Sequence, residues 1–99
     1  MSIFKVELTR SALEDLRYLK RPSQRLVLDS IEDQLSFEPA TSTRNRKRLR
    51  ENRLSEWELR VGVFRIFYDV DTEARAVWVK AVGWKEHNQL LIRGEEFSL

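Results

Sequence analysis

The chain has 99 residues, of which 41% are hydrophobic and 34% are charged, so we expect one soluble globular domain over residues 1–99. It has no cysteine and one histidine, His87, which excludes a disulfide framework, an iron–sulfur or thiolate metal site and a histidine-based metal cluster. We find no signal peptide and no apolar run of the ~20 residues that a membrane span needs. We therefore expect a cytoplasmic protein without a membrane partner, a metal or another cofactor.

Positive charge is concentrated in one segment, although the formal net charge of the whole chain is only +2. Residues 44–53 contain six arginines or lysines and a single acid, Glu51. An exposed loop whose charges only keep the protein in solution is one interpretation of such a run. A basic stripe on a nearly neutral protein favours the other interpretation, in which one face binds a polyanion such as nucleic acid.

The first half of the chain predicts a strand followed by two helices. Residues 3–8 alternate in polarity as an opening strand does, and Ser11 begins a capping box that predicts a helix over residues 11–20. Pro22 suits the first turn of a second helix over residues 22–37. Two helices joined by a tight link are expected to form an antiparallel hairpin that covers one face of a sheet.

The second half of the chain predicts strands in succession. The basic segment is expected to be a short edge strand or irregular, and residues 57–71 alternate in polarity as two strands joined at Gly62. Residues 75–82 suit a further strand, and residues 84–92 suit either a last strand or a helical turn.

This order of elements predicts an α+β fold. We expect an antiparallel sheet of about four strands, with the N-terminal helical hairpin packed on one face and the other face curved and open. The first strand can join this sheet only after the helices have formed, beside strands that come late in the chain.

Strand parity places arginine on the face that turns away from the predicted core. In the second strand of the hairpin Arg65 points away from the core residues, which are Phe64, Ile66, Tyr68 and Val70. Arg60 does the same in the first strand, and Trp78 and Lys80 are expected to share that face. Such a face predicts an anion-binding site, and a structural ion pair between Arg65 and Asp69 is the alternative.

Several motifs, taken in order, resemble the RelE/ParE superfamily of bacterial toxins from type II toxin–antitoxin pairs. An opening strand is followed by SALEDL at residues 11–16, and KRLR at residues 47–50 precedes the hairpin. The strongest matches are LRVG at residues 59–62, FRIFY at residues 64–68 and VG at residues 82–83. The resemblance covers nearly the whole chain and implies a small α+β toxin with a cognate antitoxin that wraps it.

Members similar to RelE cut messenger RNA in the ribosomal A site without a metal ion. The resemblance therefore implies an endoribonuclease that inhibits translation, with the ribosome and messenger RNA as partners and operator DNA contacted only through the antitoxin. Arg65 matches the strand arginine that stabilises the phosphorane charge, and Lys85 falls where relatives carry a second phosphate-binding arginine. His87 is the candidate for acid–base chemistry, since some members use a C-terminal histidine. The residues expected to bind RNA are Arg46, Lys47, Arg48, Arg50, Arg60 and Lys80.

The sequence departs from the RelE-like pattern at three positions. Glu56 and Glu58 stand where members close to the founding type have lysines, and Leu91 falls where they have a tyrosine that is a candidate general base. In one interpretation, His87 or Glu58 performs the acid–base work. In the other, that machinery is lost, and the protein acts on DNA gyrase, as ParE-like members do, or only binds antitoxin or nucleic acid.

Overall fold

The computed structural model describes residues 3–99 as two helices packed on a sheet. Along the chain, the elements are β1 (Lys5–Leu8), α1 (Arg10–Tyr18), α2 (Arg21–Leu35), β2 (Arg46–Arg48), β3 (Trp57–Val61), β4 (Phe64–Asp71), β5 (Ala76–Glu86), β6 (Gln89–Ile92) and β7 (Glu95–Glu96). The predicted α+β class is confirmed, and the sheet is larger than expected, with seven strands. No helix within residues 3–99 is long and apolar enough to cross a membrane.

The sheet is antiparallel except at β1. Its strands are ordered β2-β3-β4-β5-β6-β7, and β1 pairs in parallel with the first part of β5. β4 pairs along the other edge of β5 from Ala76 to Trp84. β1 and β6 therefore share one edge of β5, and they leave a gap between residues 79 and 84.

The predicted capping box at Ser11 is wrong. A helix with Ser11 as its N-cap would begin at residue 12, whereas α1 begins at Arg10. The hydroxyl oxygen of Thr9 accepts a hydrogen bond from the amide of Ala12 at 3.1 Å, and Ser11 lies inside the helix. Pro22 lies in the first turn of α2, as predicted, where its missing N–H leaves no helical hydrogen bond unmade.

The helical hairpin covers the sheet face that the alternation predicts to be the core. The buried residues of this core are Phe4, Ala12, Leu16, Val27, Ile31, Leu35, Trp57, Leu59, Ile66, Tyr68, Val77, Val79 and Val82. The hydroxyl of Tyr68 donates to the carbonyl oxygen of Pro39 at 2.8 Å. Burial raises the pKa of Tyr68, so this phenol is a core residue and not a base.

The opposite face of the sheet is open only in part. Phe67 is fully buried there, although it shares this face with Arg65. The segment after β2 and the C-terminal residues fold over it and form a second apolar cluster, made of Phe67, Ala81, Leu90, Leu49, Leu54, Ile92 and Phe97. The expectation of a wholly open face is therefore wrong, because these apolar side chains have no other surface on which to bury.

A β-bulge in β5 decides which of its side chains face the site. The register of β4 on β5 shifts between Phe67 and Tyr68, which leaves Lys80 without a partner on β4. Side chains of β5 that follow the bulge therefore change faces relative to those before it. As a result, Gly83 and Lys85 lie on the face that turns away from the helices.

Asp15 of α1 fills the gap that β1 and β6 leave on the edge of β5. Its carboxylate accepts a hydrogen bond from the Val82 amide at 3.1 Å and lies 2.9 Å from Nε of Arg93. The side chain is 1% exposed, and burial raises the pKa of Asp15 more than the Val82 amide and Arg93 lower it. Asp15 thus substitutes for a strand partner next to the bulge.

We expect Asp15→Ala to lower the free energy of unfolding by about 3 kcal/mol, because the Val82 amide and Arg93 lose their acceptor. Urea denaturation measures this change. Asp15→Asn is the matched variant, since its amide oxygen can still accept from Val82.

The pH dependence of stability distinguishes Asp15→Asn from the wild type. The pKa of folded Asp15 lies above its ordinary value of 3.8, so ionisation of this group costs stability. Relative to Asp15→Asn, the wild type should be most stable below pH 3.8 and should lose this advantage as the pH rises through the raised pKa. If the free energy of unfolding of the wild type instead increased relative to that of Asp15→Asn as the pH rises, this account would be contradicted.

Candidate functional site

The β3–β4 hairpin sets two arginines side by side on the face that turns away from the helices. Gly62 adopts φ +58° in the connecting turn, a conformation that disfavours a side chain. Arg60 and Arg65 are paired across the two strands, and Glu58 lies on the same face as both. The arrangement of charges that the alternation predicts is therefore present.

The guanidinium of Arg65 is held by main-chain oxygens. Its Nη1 donates to the carbonyl oxygens of Gly62 at 2.7 Å and of Phe64 at 2.9 Å. No carboxylate in residues 3–99 lies within 4.0 Å of it. The alternative ion pair with Asp69 is not formed; that carboxylate accepts a hydrogen bond from the Glu56 amide at 2.8 Å. Nε of Arg65 is buried and has no hydrogen-bond partner in this part of the chain.

Glu58 is paired with Arg60 and not with Arg65. Glu58 is 5% exposed and accepts from Nε of Arg60 at 3.0 Å. Burial lowers the pKa of Arg65, the charge of Glu58 opposes this, and Arg60 lowers the pKa further. The guanidinium still stays protonated at neutral pH, because the ordinary pKa of an arginine lies far above neutrality. Arg65 is thus a partly desolvated cation that has no anionic partner in the described chain.

The end of β5 brings Lys85 to the same face. Gly83 pairs with Arg65, and Lys85 follows two residues later, so it lies diagonally from the arginine. The Lys85 amide donates to the carbonyl oxygen of Val63 at 2.8 Å, which ties β5 to the turn of the β3–β4 hairpin. The Lys85 side chain itself is exposed.

His87 lies in the tight turn between β5 and β6. His87 and Asn88 have φ +52° and +66°, the left-handed pair that a two-residue hairpin turn requires. The imidazole is exposed. Only Glu86 separates Lys85 from this turn, so the structure brings Arg65, Lys85 and His87 to one end of the sheet.

The basic segment is divided between the two faces of the sheet. Lys47 is exposed and pairs with Glu58, on the face of the two hairpin arginines. Arg46 is only 9% exposed and donates to main-chain oxygens of Gln34 at 2.8 Å and of Thr41 at 3.1 Å. These bonds tie β2 to the end of α2, so Arg46 has a structural role and is not placed as an RNA contact.

Arg48, Arg50 and Lys80 lie apart from the Arg65 end of the sheet. Arg48 stands over the ring of Trp57, with its guanidinium carbon 5.8 Å from the ring centroid. Arg50 and Lys80 are exposed and line a cleft of about 480 Å³. The residues expected to bind RNA are thus divided between the Arg65 face and this cleft.

Sequence reasoning missed how the last hairpin is oriented. Leu91, where the resemblance placed a tyrosine base, pairs with Trp84 and so points to the face opposite Arg65. Leu90 points to the Arg65 side and is buried in the second apolar cluster. No sequence signal reveals this orientation, because the parity of the whole hairpin depends on the bulge at Lys80.

The fold and the site together define a small α+β protein that presents a cationic surface on its sheet. Residues 6–88 match the family model for the ParE toxin of type II toxin–antitoxin system, parDE. The chain therefore belongs to this toxin family, which confirms the predicted relation to the RelE/ParE superfamily. No curated protein matches the sequence.

Solved structures with a similar fold are toxin–antitoxin complexes. A chain of the RelBE2 complex from Mycobacterium tuberculosis is 28% identical, with TM-score 0.75, over 86% of this chain and 94% of that chain. The archaeal RelE–RelB complex from Pyrococcus horikoshii matches at 17% identity and TM-score 0.66, over 81% and 92% of the two chains. The intact RelBE complex from E. coli matches at 20% identity and TM-score 0.57, over 85% and 99%. The latter two likenesses show the fold alone.

Proposed function

We propose that this toxin is an endoribonuclease that cleaves messenger RNA on the ribosome and so inhibits translation. One observation carries the proposal: Arg65, a partly buried cation with no carboxylate partner in residues 3–99, lies at one end of the sheet with Lys85 and His87. The family match and the likeness to RelBE2 support a toxin of a type II toxin–antitoxin pair and do not distinguish its mechanism.

The chemistry is an in-line attack within the RNA strand. The 2′ oxygen forms a bond to phosphorus, and the bond from phosphorus to the 5′ oxygen of the next nucleotide breaks. The 2′-hydroxyl loses a proton and the leaving oxygen gains one, so the products are a cyclic phosphate and a free 5′-hydroxyl. The protein must supply a base, an acid and cations for the charge that gathers on phosphorus.

Arg65 is assigned to the phosphate oxygens in this proposal. A guanidinium is a rigid fork that suits phosphate, and the bonds of Nη1 to Gly62 and Phe64 orient it before substrate arrives. Lys85 adds a second charge from the neighbouring strand, without the fork of an arginine. The RNA strand on either side is assigned to the exposed residues among those predicted to bind RNA, which are Lys47, Arg48, Arg50, Arg60 and Lys80.

His87 is assigned proton transfer, because an imidazole can hold or release a proton near neutral pH. His87→Asn is the sharpest variant, since asparagine tolerates the left-handed turn but does not titrate. We expect the cleavage rate on translating ribosomes to fall about 100-fold or more, with the thermal unfolding midpoint unchanged. A cleavage rate equal to that of the wild type contradicts this role for His87.

We also propose that a cognate antitoxin binds this chain. The similar structures are complexes of a toxin with an antitoxin, and RelBE2 shares 28% of the sequence. We expect the antitoxin to lay a helix or an extended segment along the exposed faces of α1 and α2, and to mediate any contact with operator DNA. Acidic stretches of such a partner would be attracted to residues 44–53, so binding should weaken as salt rises.

A reconstituted translation reaction tests the proposed activity. Purified toxin is added to ribosomes that translate a defined messenger RNA, and primer extension maps the new ends. We expect cuts inside codons, with 5′-hydroxyl ends, only while the message is translated, and none when antitoxin is added. An intact message under translation would contradict the proposal.

Inhibition of DNA gyrase is the second candidate function. The family model supports it, since its description names ParE. It also accords with the acidic residues Glu56 and Glu58 near the site and with Leu91 on the opposite face. Gyrase inhibition predicts a DNA-damage response on induction with intact transcripts.

A further inference from the structure

A second cluster of cations lies where α1 ends and α2 begins. Its members are exposed, and none has a carboxylate of residues 3–99 within 4.0 Å; they are Arg17, Lys20, Arg21 and Arg25. Asp29 lines the same groove but forms no ion pair with them. The roles assigned above use none of these charges.

Two of the cations, Lys20 and Arg21, stand where a helix disfavours them, whereas Arg17 lies in the last turn of α1, where a cation is favourable. α2 begins at Arg21, Lys20 is its N-cap residue without a side-chain hydrogen bond, and the first turn contains no acid. The N-terminal end of a helix carries partial positive charge, so cations there are unfavourable and anions are favourable. The stability of α2 therefore does not account for the cluster.

An exposed aromatic ring adjoins these cations. Tyr18, the last residue of α1, is 57% exposed and stacks on Trp84, with ring centroids 6.0 Å apart and planes inclined by 13°. Trp84 pairs with Phe64 and precedes Lys85 in β5, so the ring lies at the same end of the sheet as Arg65 but on the opposite face. An aromatic platform beside cations is the combination by which proteins hold single-stranded nucleic acid.

We propose that Arg17, Tyr18, Lys20 and Arg21, the helix corner, form a second RNA-binding surface. The cations take phosphates of a single strand, and a base stacks on the outer face of the Tyr18 ring. The inference rests on the proposed function and extends it, because RNA that leaves the Arg65 site passes over the turns at this end of the sheet to the corner.

An acidic protein segment is the competing occupant of the helix corner. A protein helix needs apolar surface to bury, and the exposed leucines of α2, Leu26 and Leu28, lie one to two turns beyond the corner. Leu28 also lines the groove of these cations, but a single leucine gives a protein helix little apolar surface to bury. The main features of the corner are a flat ring and unpaired cations. RNA uses both of these features, so RNA is the occupant that the observations favour.

Fluorescence anisotropy with a short labelled single-stranded RNA tests the inference. Every sample is the full chain carrying Arg65→Ala, so that the RNA is not cut. The first variant combines Arg17→Gln, Lys20→Gln and Arg21→Gln. We expect its Kd to rise about tenfold or more, and the salt dependence of binding to weaken by a slope of about 2, since each phosphate contact contributes about 0.7.

Two single variants sharpen the test. Tyr18→Ala should raise the Kd about fivefold or more, because it removes the stacking surface and leaves every cation in place. Arg75→Gln is the control, since Arg75 is also exposed but lies just before β5 begins, at the other end of that strand. We expect this control to bind RNA as the parent does.

Unchanged affinity and salt slope in the triple variant would overturn the inference. So would normal RNA binding combined with weaker binding of the antitoxin, which would assign the corner to a protein partner. The proposed function itself is tested separately, by measuring whether the wild-type chain cleaves messenger RNA on ribosomes. The wild type can cut transcripts while the corner proves irrelevant, and the corner can bind RNA while no transcript is cut.

Discussion

Replacing Arg65 by alanine is expected to abolish growth arrest and to slow RNA cleavage by about 100-fold or more, because a preorganised transition-state cation is lost. Growth after induction and primer extension on translating ribosomes measure the two effects. Nη1 also bonds to the carbonyl oxygens of Gly62 and Phe64, so thermal unfolding must show that the variant is folded. A folded Arg65→Ala protein that still arrests growth at equal expression contradicts the role.

Arg60→Ala is the matched control for this experiment. Arg60 lies opposite Arg65 on the same face, but its guanidinium is paired with Glu58 at 3.0 Å. We expect cleavage to fall by no more than about tenfold, as for the loss of one phosphate contact. Equal losses in the two variants would indicate a general effect of charge and not a particular role for Arg65.

Gly83→Ala is expected to lower the free energy of unfolding by about 3 kcal/mol. A Cβ at this position would lie 2.4 Å from the main-chain oxygen of Leu91, an atom that cannot move unless β6 moves with it. Because Gly83 pairs with Arg65, displacement of β6 would also shift Lys85 and His87 relative to the arginine. Urea denaturation measures the stability. The cleavage rate of the folded fraction measures the effect of displacing Lys85 and His87 relative to Arg65.

Gly62→Ala is the control for the substitution at Gly83. A Cβ at Gly62 would meet no atom within 4 Å, and its only cost is the left-handed φ of +58°. That strain is about 1 kcal/mol, so this variant should be clearly more stable than Gly83→Ala. Equal destabilisation of the two variants would show that contact with β6 is not what excludes a side chain at Gly83.

The faces of the β3–β4 hairpin could be predicted from the sequence because the helices cover one face of both strands and charged residues dominate the other, although Phe67 is also buried there. Under that condition, a period of two in polarity separates Ile66 and Tyr68 from Arg65, and a one-residue error would expose the whole core. The helices were predictable for the same reason, since their apolar residues recur at helical spacing. The start of α1 was misplaced because Thr9 and Ser11 are both good N-cap residues, and only the structure shows that Thr9 bonds to the helix.

The arrangement of the site could be predicted only in part. Arg46 lies in a basic run, yet strand pairing turns it toward the end of α2, where main-chain oxygens hold it. The bulge at Lys80 has no signature in the sequence, and it decides the face of Gly83 and Lys85. Asp15, which supports the strand edge beside the bulge, is distant from it in sequence and looks like any helical acid.

Sequencing of RNA 5′ ends shortly after induction tests the central claim most directly. Cells that express the wild type are compared with cells that express Arg65→Ala at the same protein level. The account predicts new 5′-hydroxyl ends inside the codons of translated messages with the wild type, and none with the variant. Growth arrest by the wild type without new ends, or the same ends with both proteins, would contradict it.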